Sequence, residues 1–263
     1  MWLLQWLRPP PPPPEPLPEA SSLPLVTAAL LCWFLPAVLV TQHSERSVAA
    51  FAIVEFVAAL LGNGLFVGVE LLTAHWSEAA SELALQLLLF VLLVVLYFPM
   101  DGHMNAALTA GAWACGQCTL KAAALFVAAQ LFGSALAMEL MELVVDPALR
   151  EHIRPPHPPY IDEGIWAAIL FELVCTFLMV LLYLGCTELE RFDKHYVLTS
   201  GLVVALVRYT GASMDPLGAF SAALFAEDYI HQLEVYWFGS LAGGLLAGLV
   251  WRVLESYLQA KRV

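Results

Sequence analysis

The chain has 263 residues, of which 60% are hydrophobic and only 13% are charged, and its mean hydropathy is +0.76. Such a composition excludes a water-soluble globular protein and is typical of one that crosses a membrane several times. The formal net charge of −12 comes from Asp and Glu residues scattered through the loops, which argues against a nucleic-acid partner.

Proline dominates the beginning of the chain. The tract Pro9–Pro18 predicts polyproline II or disorder, so we expect residues 1–22 to act as a tether outside the fold. An extra apolar segment follows over residues 23–42 and is interrupted at Pro36. Because it lacks a strongly basic flank and a clear cleavage site, we interpret it as an extra or interfacial helix, with a signal anchor as the alternative.

Six apolar runs long enough to approach the thickness of a bilayer come next. A hydrocarbon core of about 30 Å requires about 20 apolar residues in a helix. The runs are Val48–Leu72, Glu82–Phe98, Leu120–Val145, Gly164–Thr187, Tyr196–Tyr209 and Leu233–Leu258. The sequence therefore predicts an all-α, multi-pass protein integral to a lipid bilayer.

Two further apolar stretches are only about half as long as a span. Asn105–Trp113 and Asp215–Phe225 each follow a polar turn that contains glycine. Asn and Asp are favoured helix N-caps, and Pro216 occupies a first helical position, where a missing N–H costs nothing. We expect two half-helices that begin inside the membrane. Irregular backbone is tolerated there only beside protein or a watery cavity, which indicates a pore or a substrate site.

The same landmarks occur twice in the same order, which indicates an internal duplication. The three pairs are Ala52–Phe56 with Ala168–Leu173, Asn105 with Asp215, and Phe132–Ser134 with Phe238–Ser240, at offsets of 117, 110 and 106 residues. The units, residues 48–146 and 164–259, hold three spans each, so the second enters the membrane from the opposite side. Asn105 and Asp215 are then expected to face each other near the midplane.

These residues resemble the aquaporin (major intrinsic protein) family from Val48 to about Leu258. His103–Thr109 is similar to the family motif H-x-N-P-A-x-T, Tyr209–Leu217 to Y-T-G-x-x-x-N-P-A, and Val235–Gly239 to the start of the sixth helix. Ala106 replaces the usual first proline, and Asp215 replaces the second asparagine. These departures and the extra apolar segment resemble the divergent superaquaporin subfamily, whose members are often intracellular.

The resemblance implies a six-span bundle of two inverted repeats and a passive channel for water and small neutral solutes. It further implies a homotetramer without a cofactor, in the endoplasmic reticulum or the plasma membrane. The implied pore motif is Asn105, Ala106, Ala107, Asp215, Pro216 and Leu217. Glu55, Glu172 and His103 are implied to brace the loops; a proton relay through the two glutamates is the alternative, and His103 either lines the entrance or bonds a loop carbonyl.

Asp215 leaves three interpretations open. Its carboxylate can cap the second half-helix, line the pore as well, or carry a specific ionic role. An ionised Asp accepts hydrogen bonds only, whereas an asparagine also donates. An intramembrane enzyme would need a second acid or a nucleophile at the same depth, and Asn105 is neither, so we expect no catalytic residue.

Family spacing places the selectivity filter at Leu85, Val203, Ala212 and Gly218, with glycine where the family has arginine. An apolar filter without a cation is expected to admit larger neutral solutes, such as glycerol or hydrogen peroxide. The alternatives are that these residues merely face lipid or core, and that the protein is a non-conducting membrane scaffold. Cys115 and Cys118 have the spacing of half a zinc site, but no second pair exists, so we expect no metal.

Overall fold

A computed structural model describes residues 47–73, 102–145, 158–188, 211–225 and 233–260. Within these ranges the regular structure is entirely helical and comprises six α-helices and one short 3-10 helix, Ile161–Glu163. The spans expected at Glu82–Phe98 and Tyr196–Tyr209 lie outside the described residues, as do residues 1–42.

Four of the helices are long enough and apolar enough to cross a membrane. They are α1 (Val48–Thr73), α3 (Leu120–Val144), α4 (Ile165–Glu188) and α6 (Leu233–Ala260). The shortest, α4, has 24 residues and is therefore about 36 Å long, which exceeds a hydrocarbon core of about 30 Å. The four spans predicted in these regions are confirmed to within two residues at either end.

The two half-helices are present. They are α2 (Ala106–Cys115) and α5 (Pro216–Phe225), of 10 residues each, so each is about 15 Å long and reaches only halfway through a bilayer. Both begin directly after the predicted caps. Gly116, in the left-handed αL conformation with φ 95°, ends α2. The N–H groups of Gly116 and Gln117 donate to carbonyl oxygens in the last turn of the helix.

The four long helices form two equivalent pairs, one in each repeat, and each half-helix lies against a long helix of the other repeat. Helix α1 packs against α3, and α4 packs against α6. The half-helix of the first repeat, α2, lies against α6 of the second repeat, while α5 lies against α3 of the first. The two repeats are therefore interlocked, and neither half-helix is buried by its own repeat alone.

Glycines on α6 allow the close approach of α2. A Cβ atom added at Gly244 would overlap the carbonyl oxygen of Ala107, and one added at Gly248 would overlap that of Gly111. Only a residue without a side chain permits backbones to approach so closely. The glycines of α6 thus allow the backbone of α2 to pack directly against α6.

The repeat register in α3 and α6 differs from the expected one by one helical turn. The motif match pairs Gly133 with Gly239, at an offset of 106 residues. In the structure a Cβ atom added at Gly133 would contact Phe56 and Leu60 of α1. The equivalent residues of α4, Leu173 and Phe177, lie against Gly243 and not against Gly239. The offset is therefore 110 throughout the half-helices and third spans, and the expected third landmark is wrong by four residues. Gly239 and Gly243 lie four residues apart on the same face of α6, so the sequence leaves the register ambiguous and the packing of the helices decides it.

Candidate functional site

Asn105 caps the first half-helix and reaches across to the second repeat. Its backbone is extended (φ −150°, ψ 126°), and its side-chain oxygen accepts from the N–H groups of Ala107 at 2.7 Å and Leu108 at 3.4 Å. Its side-chain amide donates to the carbonyl oxygen of Met214 at 2.9 Å. One asparagine therefore stabilises the start of α2 and joins the two loops that precede the half-helices.

Asp215 caps the second half-helix. Its Oδ1 accepts from the N–H of Leu217 at 3.0 Å, and its carbonyl oxygen accepts from the N–H of Ala219 at 3.3 Å. The hydroxyl of Ser213 also donates to that carbonyl, at 3.0 Å. The capping interpretation of Asp215 is confirmed. A Cβ added at Gly218 would lie 3.3 Å from Oδ2, so this glycine lies directly beside the carboxylate.

The residue before each cap has the same unusual backbone conformation. Met104 and Met214 both have φ of 53°, in the left-handed region that side chains other than glycine rarely adopt. This conformation costs about 1–2 kcal/mol at each position. It persists because each of these loops is anchored by a buried carboxylate.

Glu55 on α1 anchors the first loop. Its side chain is 1% exposed, and its two oxygens accept from the N–H groups of His103 at 2.6 Å and Met104 at 2.7 Å. The side-chain amide of Gln130 on α3 donates to the same carboxylate at 2.8 Å. Three N–H donors match an ionised carboxylate, which can only accept.

Glu172 on α4 makes the equivalent contacts with the second loop. It is fully buried and accepts from the N–H of Ser213 at 2.6 Å and of Met214 at 3.0 Å. The hydroxyl of Ser240 on α6 lies 3.4 Å from one of its oxygens. Ser240 and Gln130 are separated by 110 residues, in agreement with the register set by the glycines.

His103 bonds a hydroxyl. Its Nδ1 lies 3.1 Å from the Oγ1 atom of Thr109 and 3.7 Å from a carboxylate oxygen of Glu55. The ring meets Phe126 edge-on, with centroids 6.0 Å apart. The described hydrogen-bond partner of its side chain is thus a hydroxyl of α2, and the bond to a loop carbonyl stays a prediction.

Several residues of the expected pore motif and filter are packed into the protein. Ala106, Ala107 and Leu217 are fully buried, and Ala212 is only 2% exposed within the apolar cluster that includes Met214. The side chain of Ala212 therefore faces the core, which is one of the alternatives left open by the sequence. Pro216 is also buried, whereas Gly218 is partly exposed. Leu85 and Val203 lie outside the described residues.

Five polar side chains complete the site although the sequence analysis gave none of them a role in it: Asn63, Thr109, Gln130, Ser134 and Ser213. The amide of Asn63 donates at 2.9 Å to the hydroxyl of Ser134, which in turn donates to the carbonyl oxygen of Gln130. An isolated polar residue inside an apolar span was the available signal, because such residues usually bond across helices.

The cysteines form no disulfide among Cys115, Cys118 and Cys175. Burial raises the pKa of the Cys118 thiol, and the neighbouring Cys115 and Glu55 raise it further. In the described ranges no three His, Cys, Asp or Glu side chains lie close enough to hold a metal ion.

Comparison with known proteins agrees with this geometry. The profile of the family described as "Major intrinsic protein" matches residues 38–251, most of the chain. The chain belongs to the major intrinsic protein, or aquaporin, family. It is 34% identical over 218 residues to "Aquaporin TIP4-4" of Zea mays, a match that covers 78% of this chain and 85% of that protein. It is 27% identical over 230 residues to "Probable aquaporin TIP1-2" of Oryza sativa subsp. japonica, with 81% and 89% covered.

A solved structure shows the same fold at low sequence identity. The aquaglyceroporin from Plasmodium falciparum superposes with a TM-score of 0.59 at 19% identity, over 78% of this chain and 93% of that one. The protein is therefore an aquaporin-like helical membrane protein that spans the bilayer several times. Members of its family are channels for water and small solutes and not enzymes.

Proposed function

We propose that this aquaporin is a passive channel for water and small neutral solutes, with glycerol and hydrogen peroxide as the candidate solutes. The permeation path runs between the caps of the two half-helices, Asn105 and Asp215. The observation that supports it best is the 2.9 Å hydrogen bond from the Asn105 amide to the carbonyl of Met214. This bond joins the starts of two half-helices from opposite repeats, as a pore at their junction requires.

The electrostatics of this junction favour neutral solutes. Each half-helix directs its N-terminus, equivalent to about half a positive charge, toward the other, and this field opposes cations and protons. Asp215 reduces the field on its own side because an ionised carboxylate is negative and only accepts hydrogen bonds. Its Oδ1 is already engaged by the N–H of Leu217, so capping takes up part of its charge.

We assign the selectivity filter to Leu85, Val203, Ala212 and Gly218. None of the four carries a charge, and glycine stands where the family has arginine. Since Ala212 packs its side chain into the core, it contributes its backbone to such a filter. A filter of this kind lacks the positive charge and the bulk that restrict a pore to water, which is the reason for proposing glycerol and peroxide.

We further propose a homotetramer with one pore per protomer, in the endoplasmic reticulum or the plasma membrane. Large apolar side chains stand on the outer faces of the long helices, including Phe132 at 71%, Trp166 at 79% and Phe238 at 68% exposure. Such faces suit lipid or neighbouring protomers. Assignment to the superaquaporin subfamily stays a prediction.

A non-conducting scaffold is the second candidate. It is favoured by the complete burial of Ala106, Ala107 and Leu217 and by the packing of Ala212, which leave little side-chain surface for a solute at the junction. A scaffold would share the fold and the interlocked half-helices but would add no solute flux to a membrane.

Stopped-flow light scattering on proteoliposomes tests the two candidates. We expect the wild type to exceed empty liposomes in water permeability and to admit glycerol, with peroxide entry followed by an enclosed dye. Asp215→Asn is expected to change the ratio of solute to water permeability, whereas the matched variant Asp162→Asn, at an exposed residue of the 3-10 helix, should not. Flux equal to that of empty liposomes for both wild type and Asp215→Asn would replace the channel by the scaffold.

A further inference from the structure

We propose that Gly62 and Asn63 of α1 line the pore in the half of the membrane that contains α5. The Oδ1 atom of Asn63 accepts a hydrogen bond from a hydroxyl group of a polyol such as glycerol, and Gly62 leaves the room for that solute. The proposal rests on the proposed channel function and deepens it, because it names two specificity-determining residues outside the half-helix motifs and the filter.

The second half of α1 lies in the same half of the membrane as α5. At the start of α1, Phe51 and Ala52 pack with Phe126 of α3 and with Cys118, which follows the end of α2. Helix α2 therefore runs from the junction of the half-helices toward the start of α1. Helix α5 belongs to the inverted repeat and runs the other way from the same junction, and it contacts α1. The residues of α1 beyond Glu55, which anchors the first loop at the junction, thus lie beside α5.

Gly62 lies on the inner face of α1. Seven residues make about two helical turns, so Gly62 shares a face with Glu55, about 11 Å further along the helix. Ile53 lies nine residues before Gly62 and therefore on the opposite face, where it is 58% exposed. Gly62 is itself partly exposed, and among the described residues nothing lies within 4 Å of a Cβ atom added there. Open space therefore borders the inner face of α1 at this level.

Asn63 joins α1 to α3 beside this space. Its Nδ2 donates to the carbonyl oxygen of Ala59 and to the hydroxyl of Ser134, each at 2.9 Å. The Ala59 carbonyl can only accept, so the atom beside it must be the amide nitrogen, and the orientation of the amide is determined. These two bonds use both amide protons. The polar capacity that remains is that of Oδ1, on the other arm of the amide.

The Oδ1 atom is an acceptor with surface open to water. Both hydrogen bonds of the Asn63 side chain in the described ranges are made by Nδ2, so Oδ1 has no partner there. The buried side-chain atoms that lack a partner in these ranges belong to Gln130, Thr176 and Trp251, and Oδ1 of Asn63 is not one of them. Asn63 is partly exposed although Ser134, its partner on α3, is fully buried. A fixed acceptor thus stands next to the open space at Gly62.

The second repeat fills the equivalent position with apolar side chains. At the offset of 117 residues that relates Glu55 to Glu172, Met179 and Val180 replace Gly62 and Asn63. Both are buried in an apolar cluster, and Val180 packs so closely against α2 that a Cβ atom added at Gly111 would overlap it. Packing of the fold therefore requires neither a glycine nor an amide at these positions, which indicates that the pair in α1 serves another purpose.

The pair suits a polyol. Selectivity in such pores depends on the diameter and on the hydrogen-bonding groups that line the wall. Gly62 contributes width because it has no side chain. A solute hydroxyl that leaves water loses its acceptor there, and the amide oxygen of Asn63 replaces it.

Thiol labelling tests the lining without measuring flux. Gly62→Cys and Asn63→Cys are reconstituted in proteoliposomes and treated with 2-hydroxyethyl methanethiosulfonate, a small neutral reagent that attacks the thiolate and therefore needs water. Mass spectrometry of the peptide that contains the substitution measures the label. We expect both variants to be labelled, and the matched control Ile53→Cys, on the opposite face of α1, to stay unlabelled. Failure to label both residues 62 and 63, or equal labelling of the control, would overturn the proposal.

Glycerol flux tests the part played by Gly62. Gly62→Phe should lower glycerol permeability at least about tenfold, because the ring fills the space through which the solute passes. Ile53→Phe carries the same ring on the opposite face and should keep the wild-type flux. Wild-type glycerol flux in a folded Gly62→Phe protein would overturn the proposal. If Gly62→Phe does not fold, the labelling of Gly62→Cys decides.

A second pair of variants separates the acceptor from the structural bond. Asn63→Leu, of similar size, should lower glycerol permeability about fivefold, as expected for the loss of one hydrogen bond. Ser134→Ala loses the same bond between α1 and α3 but keeps Oδ1, so its glycerol permeability should stay within about twofold of wild type. Equal losses in the two variants would show that Asn63 acts only by joining the helices, and would overturn its role as an acceptor.

The labelling also distinguishes failure of this proposal from failure of the channel function. A wild type that conducts neither water nor glycerol, with label at residues 62 and 63, would refute the channel function and the role of Asn63 in solute binding, and would support the open wall alone. A conducting wild type without label at either residue would support the channel function and refute the lining by Gly62 and Asn63.

Discussion

Replacement of Glu172 by glutamine should destabilise the second loop while leaving the size of the side chain unchanged. The carboxylate accepts from two backbone N–H groups, those of Ser213 at 2.6 Å and Met214 at 3.0 Å. A glutamine can offer only one acceptor to this pair, so its NH₂ group must face one of the two N–H donors. The loop that it anchors contains the positive φ of Met214 and leads directly into the cap of α5.

The magnitude follows from the two bonds. One N–H loses its acceptor inside the protein, at a cost of about 1–3 kcal/mol. The other exchanges a bond to a charged group for a neutral one, which is weaker by about 1 kcal/mol. We therefore expect Glu172→Gln to lower the free energy of unfolding by about 2–4 kcal/mol.

The assay is reversible unfolding of the purified protein in mixed micelles, followed by circular dichroism, together with water permeability of the reconstituted variant. Glu163→Gln is the matched control, because this carboxylate is exposed in the 3-10 helix, and surface changes of this kind are usually within about 0.5 kcal/mol. A Glu172→Gln protein as stable and as permeable as the control would refute the assignment of loop anchoring to this carboxylate.

Three further predictions concern single positions. Asp215→Asn supplies an amide donor that, by repeat symmetry, points toward the carbonyl oxygen of Met104. We therefore expect the free energy of unfolding to rise by about 0.5–1.5 kcal/mol in the same assay, and a loss of stability would contradict the symmetry argument. Gly218→Arg, whose Cβ would lie 3.3 Å from the Asp215 carboxylate, should reduce glycerol and peroxide flux while sparing water, and unchanged solute flux would remove Gly218 from the filter. Gly244→Val should lower the free energy of unfolding by about 3 kcal/mol or prevent folding, because even a Cβ atom there overlaps the backbone of α2. The control Gly62→Ala should be tolerated, because a Cβ atom at Gly62 meets nothing within 4 Å. Equal thermal stability of the two variants would show that α2 does not pack against α6 as described.

Local chemistry made the half-helices predictable. A cap acts on N–H groups two or three residues further along the chain, so the polar residue, the proline and the short apolar run together encode the start of a helix. The sequence accordingly predicted α2 and α5 with their caps Asn105 and Asp215, and the spans from their length and apolarity. The family resemblance added the two glutamates that contact the loops.

Tertiary packing decided which polar groups meet. The bond from Asn105 to Met214 joins residues 109 positions apart, and the network of Thr109, Gln130 and His103 forms only when α2 and α3 lie side by side. Such pairs leave no periodic pattern in the sequence, because each partner is a single polar residue in an apolar helix.

The repeat register shows the same division between sequence and structure. A repeated Phe-Gly-Ser motif indicated the duplication correctly but placed α6 one turn away from its true equivalence with α3. Two glycines four residues apart, Gly239 and Gly243, lie on one face of α6, so either could match Gly133 by sequence. By itself the sequence determined the class of protein, the half-helices and their caps. The register and the buried hydrogen-bond network were decided by the tertiary structure alone, because only the packing of α6 against α4 and α2 selects one glycine.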